Sequence, residues 1–73
     1  MIAKPFPPNP VLKSMTYNDD KLSIEFKKGQ IRTYLTGPKL AYKLFHSKTA
    51  SESLAIYSNE IKGHCTVFTV KNK

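Results

Sequence analysis

The stretch from Lys21 to Leu35 reads KLSIEFKKGQIRTYL, and its alternation decides the fold. Leu22, Ile24 and Phe26 alternate with Ser23, Glu25 and Lys27. Beyond Lys28-Gly29, the residues Ile31, Thr33 and Leu35 alternate with Arg32 and Tyr34. A period of two is the signature of a half-buried strand, and two such runs around a glycine-containing break make a hairpin. With Lys28-Gly29 as a two-residue tip, Phe26 faces Ile31, Ile24 faces Thr33 and Leu22 faces Leu35, which puts the apolar residues on one face. The other face then sets Glu25 opposite Arg32, Ser23 opposite Tyr34 and Lys27 opposite Gln30. The opposite-charge pair supports that register.

Working outward, Val11 to Tyr17 reads as an earlier strand joined through Asn18-Asp19-Asp20, whose short polar side chains favour a tight turn. The first ten residues hold four of the five prolines and read as an extended arm outside the core. The spacings Pro5 to Pro8 and Pro7 to Pro10 formally match a polyproline ligand, but a stiff lead-in is the better explanation. Downstream of Gly37-Pro38, the residues Leu40, Ala41, Leu44 and Phe45 recur at helical spacing. Thr49-Ala50-Ser51-Glu52 fits a capping box that opens a second short helix with Leu54, Tyr57 and Ile61 on its inner side, ended by Lys62-Gly63. Thr66 to Val70 reads as a final strand. The expected fold is therefore α+β, in the order β-β-β-α-α-β. It has a three-stranded antiparallel meander, two short helices on one face, a domain over residues 11–70 and a basic tail at 71–73.

Composition narrows the function. A chain of 73 residues buries only about 60% of its unfolded surface, so it has one small core and no deep cleft between lobes. Its single cysteine, Cys65, cannot form an internal disulfide, which points to a reducing, cytoplasmic setting. The longest apolar run, Leu54 to Tyr57, is four residues, so no membrane association is expected. Lys and Arg outnumber Asp and Glu by 12 to 5, a net charge of +7. Residues 21–50 carry +6 of it, a field that attracts polyanions, nucleic acid foremost, unless the lysines serve only solubility.

Catalytic chemistry finds no foothold. The soft metal ligands are His46, His64 and Cys65, two of them adjacent in sequence, where strand neighbours point to opposite faces. No metal, no cofactor and no catalytic group is expected. Cys65 reads as a small buried hydrophobe, the three glycines as isolated turn residues, and Asp19-Asp20 as turn chemistry. Binding remains. The outer sheet face, as registered above, presents Ser23, Lys27, Arg32 and Tyr34, where bases could stack on a ring or a guanidinium while lysines neutralise phosphates. The plainer reading has Arg32 pairing with Glu25 and Tyr34 covering the sheet. A second basic face, Lys39, Lys43 and His46 on the first helix, reads foremost as a solvated surface.

The succession Thr16-Tyr17, Leu22, Ile24-Glu25-Phe26, Gly29, Tyr34, Pro38, Tyr42, Ser47, Tyr57-Ser58 and Ile61-Lys62-Gly63 resembles the KTSC domain. That family is found at the C-terminus of some lysyl-tRNA synthetases and as small stand-alone bacterial and phage proteins. The resemblance covers roughly residues 11 to 70. The family's Tyr-x-Tyr motif falls on Arg32-Thr33-Tyr34, so only its second tyrosine is kept, and a guanidinium replaces the first ring. The synthetase context implies RNA binding. The expectation is a small non-enzymatic module for RNA or single-stranded nucleic acid. The alternative is a protein-interaction module or homodimer, formed through a sheet edge or the face carrying Leu12 and Tyr34.

Overall fold

Five strands and two helices follow one another in the computed structural model, which describes residues 2–72. The strands are β1 (Ile2–Pro5), β2 (Leu12–Asn18), β3 (Lys21–Phe26), β4 (Gln30–Leu35) and β5 (Thr66–Asn72), and the helices are α1 (Pro38–Phe45) and α2 (Ala50–Ile56). A π-helical turn, Tyr57–Ile61, continues α2. The sheet is antiparallel throughout, in the order β1-β2-β3-β4-β5, with the helices packed on one face. The expected α+β class and helix layer hold, and the final strand takes its place beside β4.

Local chemistry explains the elements. The β2–β3 connection is the two-residue loop Asp19-Asp20, both in the left-handed region at φ 51° and 61°, the conformation whose twist suits a hairpin and which aspartate tolerates. Thr49 caps α2, accepting a hydrogen bond from the Glu52 amide at 3.1 Å as the capping-box pattern predicts, a contribution of about 1 kcal/mol. Gly63, at φ 80°, turns the chain out of the helical layer.

The hairpin forms one residue out of the expected register. Gly29 N–H donates to the Phe26 carbonyl at 2.9 Å, and Gly29 has φ 97°, so Lys27-Lys28-Gly29 is a three-residue loop with glycine at the left-handed position. Leu22 therefore pairs with Tyr34, Ser23 with Thr33 and Ile24 with Arg32. Because strand side chains alternate, this shift moves all of β4 to the opposite face. Tyr34 enters the core at 1% exposure, and Leu35, expected inside, is 40% exposed. The proposed pairing of Glu25 with Arg32 is lost. Glu25 instead pairs with Lys13 at 3.7 Å and accepts from Ser14 Oγ at 3.4 Å.

The proline arm also differs from expectation. Ile2–Pro5 is an edge strand on β2, where proline is tolerated because one side of the strand needs no donors. Phe6 is buried, and the buried Asn9 carboxamide accepts from the Val11 and Leu12 amides at 2.9 and 2.6 Å. The core gathers Phe6, Leu12, Met15, Leu22, Ile24 and Tyr34 from the sheet side with Ala41, Leu44, Phe45, Ile56, Tyr57 and Ile61 from the helical layer. Leu12 and Tyr34 thus belong to the interior rather than to a docking face. Between the helices, the buried Ser47 and Ser53 hydroxyls bond each other at 2.6 Å.

Candidate nucleic-acid interface

The register shift redistributes the residues singled out from sequence. Ser23 stays on the open face, its hydroxyl 2.9 Å from that of Thr33. Lys27 is exposed in the hairpin loop. Tyr34 lies beneath the helical layer, and Arg32 emerges on that same side, opposite Ile24. The four do not share a face. Lys39, Lys43 and His46 are all exposed on α1 or its C-cap, but Lys43 is engaged by Glu60 at 2.6 Å and the His46 ring lies stacked on Tyr42, centroids 6.3 Å apart.

What the structure assembles instead is a cleft of about 540 Å³ between the β3–β4 hairpin end and the π-helical turn. Its apolar floor is Phe26 and Tyr57, rings edge to face at 5.6 Å and 70°. Arg32 lies over this floor, its Cζ 5.9 Å from the Phe26 centroid, and its Nε donates to Gln30 Oε1 at 2.7 Å. Lys28 and Lys62 also line it, together with Pro10, Val11 and Asn72. Among the described residues no carboxylate lines the cleft, and Lys13–Glu25 and Lys43–Glu60 are ion pairs elsewhere on the surface. A guanidinium over an aromatic ring, in a cleft that two lysines also line, is a site for an anion, and its planar fork suits phosphate.

Beneath the cleft, the buried Tyr34 and Tyr57 hydroxyls are 2.7 Å apart and their rings meet at 72°. Hydrogen bonding with the Tyr34 hydroxyl holds the Arg32 pKa above its usual value, against a smaller effect of burial. Burial first, then the hydrogen bond to Tyr34, pushes the Tyr57 pKa well above that of a free tyrosine. A phenol whose folded pKa is raised binds its proton more tightly in the native than in the unfolded chain. Its contribution is therefore intact below pH ~10, the ordinary tyrosine pKa, and is lost as pH climbs beyond it. Tyr57→Phe should lower the urea midpoint at pH 7, because the Tyr34 hydroxyl loses its partner, while flattening the fall between pH 9 and roughly 11. Parallel pH profiles for the two proteins would show that Tyr57 does not titrate with unfolding.

Tyr57, Lys62 and Lys28 were not singled out from sequence as site residues. The π-helical turn, whose Lys62 amide bonds the Tyr57 carbonyl at 2.8 Å, sets Tyr57 and Lys62 at the same cleft, and such turns recur at functional sites. The glycine at the third loop position was the available signal for the register, and with it for Arg32.

The uncovered sheet face carries a row of hydroxyls, Thr16, Ser23, Thr33 and Thr69, across four strands. Beside it the Lys21 ammonium sits 4.7 Å from the Phe68 ring centroid. Among the described residues no three His, Cys, Asp or Glu side chains lie together as a metal cluster, and no helix is long and apolar enough to cross a membrane. Compared with known proteins, the chain matches no family model, no curated protein and no solved structure.

Proposed function

We propose that this protein is a small non-enzymatic module of the cytoplasm that binds RNA or other single-stranded nucleic acid through the helix-side cleft. The observation that carries the reading is the Arg32 guanidinium over the Phe26 ring, in a cleft that Lys28 and Lys62 also line and to which no carboxylate among the described residues contributes. Phosphate answers the three cations, and an unstacked base answers the apolar floor of Phe26 and Tyr57. A duplex holds its bases in the stack and offers only the first of these. The likeness to the KTSC family agrees with this reading by analogy.

Affinity should be micromolar or weaker, since the cleft can hold only a few nucleotides. With about three phosphates neutralised, log K should fall against log salt with a slope of roughly −2, at about 0.7 per contact on a single strand. Fluorescence anisotropy with an oligouridine and a matched duplex, titrated between 50 and 200 mM salt, checks both expectations. A flat salt response, or no binding at the low end, would remove the polyanion reading.

A further inference from the structure

The two edges of the sheet are guarded very differently. β1 is four residues long, ends at Pro5, and its Lys4 ammonium is tied to the Phe45 carbonyl at 2.5 Å. Proline, lysine and shortness are the devices by which a sheet edge is kept from recruiting another strand. β5 has none of the three near its centre. It runs seven residues, carries no charged side chain from Thr66 to Val70, and leaves Val67, Phe68 and Val70 each about half exposed, at 48, 51 and 49%. The helical layer stops short of it, so Val67 and Val70 lie open on the helix side. A strand edge that presents unpaired backbone donors and acceptors together with half-exposed apolar residues is a template for one more strand.

The side-chain pattern says which strand. The β4–β5 register slips between Thr33 and Tyr34, so β5 carries one extra residue, Phe68, at a bulge. Thr69 pairs with Thr33 and Lys71 with Ile31 on the open face, as Thr66 does with Leu35, and Phe68 meets Lys21 there. Val67 pairs with Tyr34, Val70 with Arg32 and Asn72 with Gln30 on the helix side. Read from Thr66 to Lys71, the faces run open, helix, open, open, helix, open, the same in either direction. Only the bulge makes this so, because an unbroken strand alternates and reads differently from its two ends over six residues.

We propose that β5 pairs antiparallel with β5 of a second copy of this chain about a two-fold axis between Phe68 and Thr69. Val67 then lies against Val70 of the other copy on the helix side, Phe68 against Thr69 on the open side, and Thr66 against Lys71. Apolar meets apolar, and the like-charged Lys71 side chains sit at opposite ends of the paired segment. The two sheets join into one of ten strands with both helical layers, and both Arg32 clefts, on the same side. Joined along a single pair of strand edges, the dimer is expected to form at micromolar or higher concentration. The pairing does not depend on what the cleft binds.

Sedimentation equilibrium on nucleic-acid-free protein at high salt tests it, with Val67→Lys/Val70→Lys placing lysines opposite one another across the axis. Wild type should shift toward twice the monomer mass as concentration rises, while the double variant stays monomeric with an unchanged circular dichroism spectrum. Wild-type amide exchange, measured at two concentrations, requires no variant. β5 amides should gain protection at the higher one and β1 amides should not. A monomer up to millimolar concentration, a folded variant that dimerises like wild type, or protection gained at β1 instead would each overturn the proposal.

Discussion

Tyr34→Ala is expected to leave the protein unfolded or nearly so at 25 °C. Truncating a fully buried aromatic side chain costs about 3–5 kcal/mol through lost burial and the cavity left behind. Here the Tyr57 hydroxyl also loses its partner at 2.7 Å, which adds roughly 1–3 kcal/mol for a buried polar group without a hydrogen bond. At 0.05–0.15 kcal/mol per residue, a chain of this length is stable by about 4 to 11 kcal/mol, so the loss is comparable to the whole. Tyr34→Phe keeps the ring and removes only the hydroxyl, and should stay folded with a lowered urea midpoint. Circular dichroism and urea titration of the two variants check both statements. An alanine variant with the wild-type midpoint would mean that Tyr34 faces solvent, as the two-residue hairpin tip would have it.

The largest effect on binding is expected at Arg32. Arg32→Glu removes the guanidinium over Phe26 and places a negative charge in the cleft that Lys28 and Lys62 also line, which should weaken single-stranded RNA binding by tenfold to a hundredfold, about 1.4 to 2.8 kcal/mol. The salt slope should lose about 0.7 for the missing contact. Lys39→Glu with Lys43→Glu changes the net charge more but acts on α1, where it should lower affinity only through the general field. The fold should tolerate the Arg32 change, because the side chain is partly exposed and the Tyr34 hydroxyl keeps its partner in Tyr57 when the guanidinium is gone. Anisotropy on all three proteins, each with a dichroism spectrum, decides the matter. If the lysine pair abolishes binding and a folded Arg32→Glu protein binds normally, the interface lies on α1.

The elements that sequence revealed were those written in local chemistry. Thr49 and Glu52 spell a cap, Leu40, Ala41, Leu44 and Phe45 a helical stripe, and residues 21–35 a hairpin, each within a short window. The candidate site was harder to read because it hangs on a single count. A two-residue and a three-residue loop both preserve the alternation of Ile31 to Leu35, so periodicity cannot choose between burying Leu35 and burying Tyr34. The choice rests on a contact distant in sequence, the hydroxyl of Tyr57, which gives a buried Tyr34 the partner it requires. Arg32 moves with Tyr34, so its place over the Phe26 ring was invisible once the loop was counted as two. The placement of β5 beside β4 and the bulge at Phe68 are likewise set by pairing between remote segments. The strand Ile2–Pro5 went unread because Pro5 and the prolines that follow it argue against a central strand, while a proline is compatible with an edge.

The inequality between the sheet's two edges has a consequence for how far such a protein can assemble. A subunit with two open edges is bifunctional, like a monomer with two reactive ends, and it grows into a fibre as concentration rises. One whose first edge is closed by Pro5 and Lys4 is monofunctional, and coupling at the other edge ends the chain at two. Lys4 and Pro5 then act as terminators, setting the maximum degree of polymerisation while the opposite edge sets the affinity.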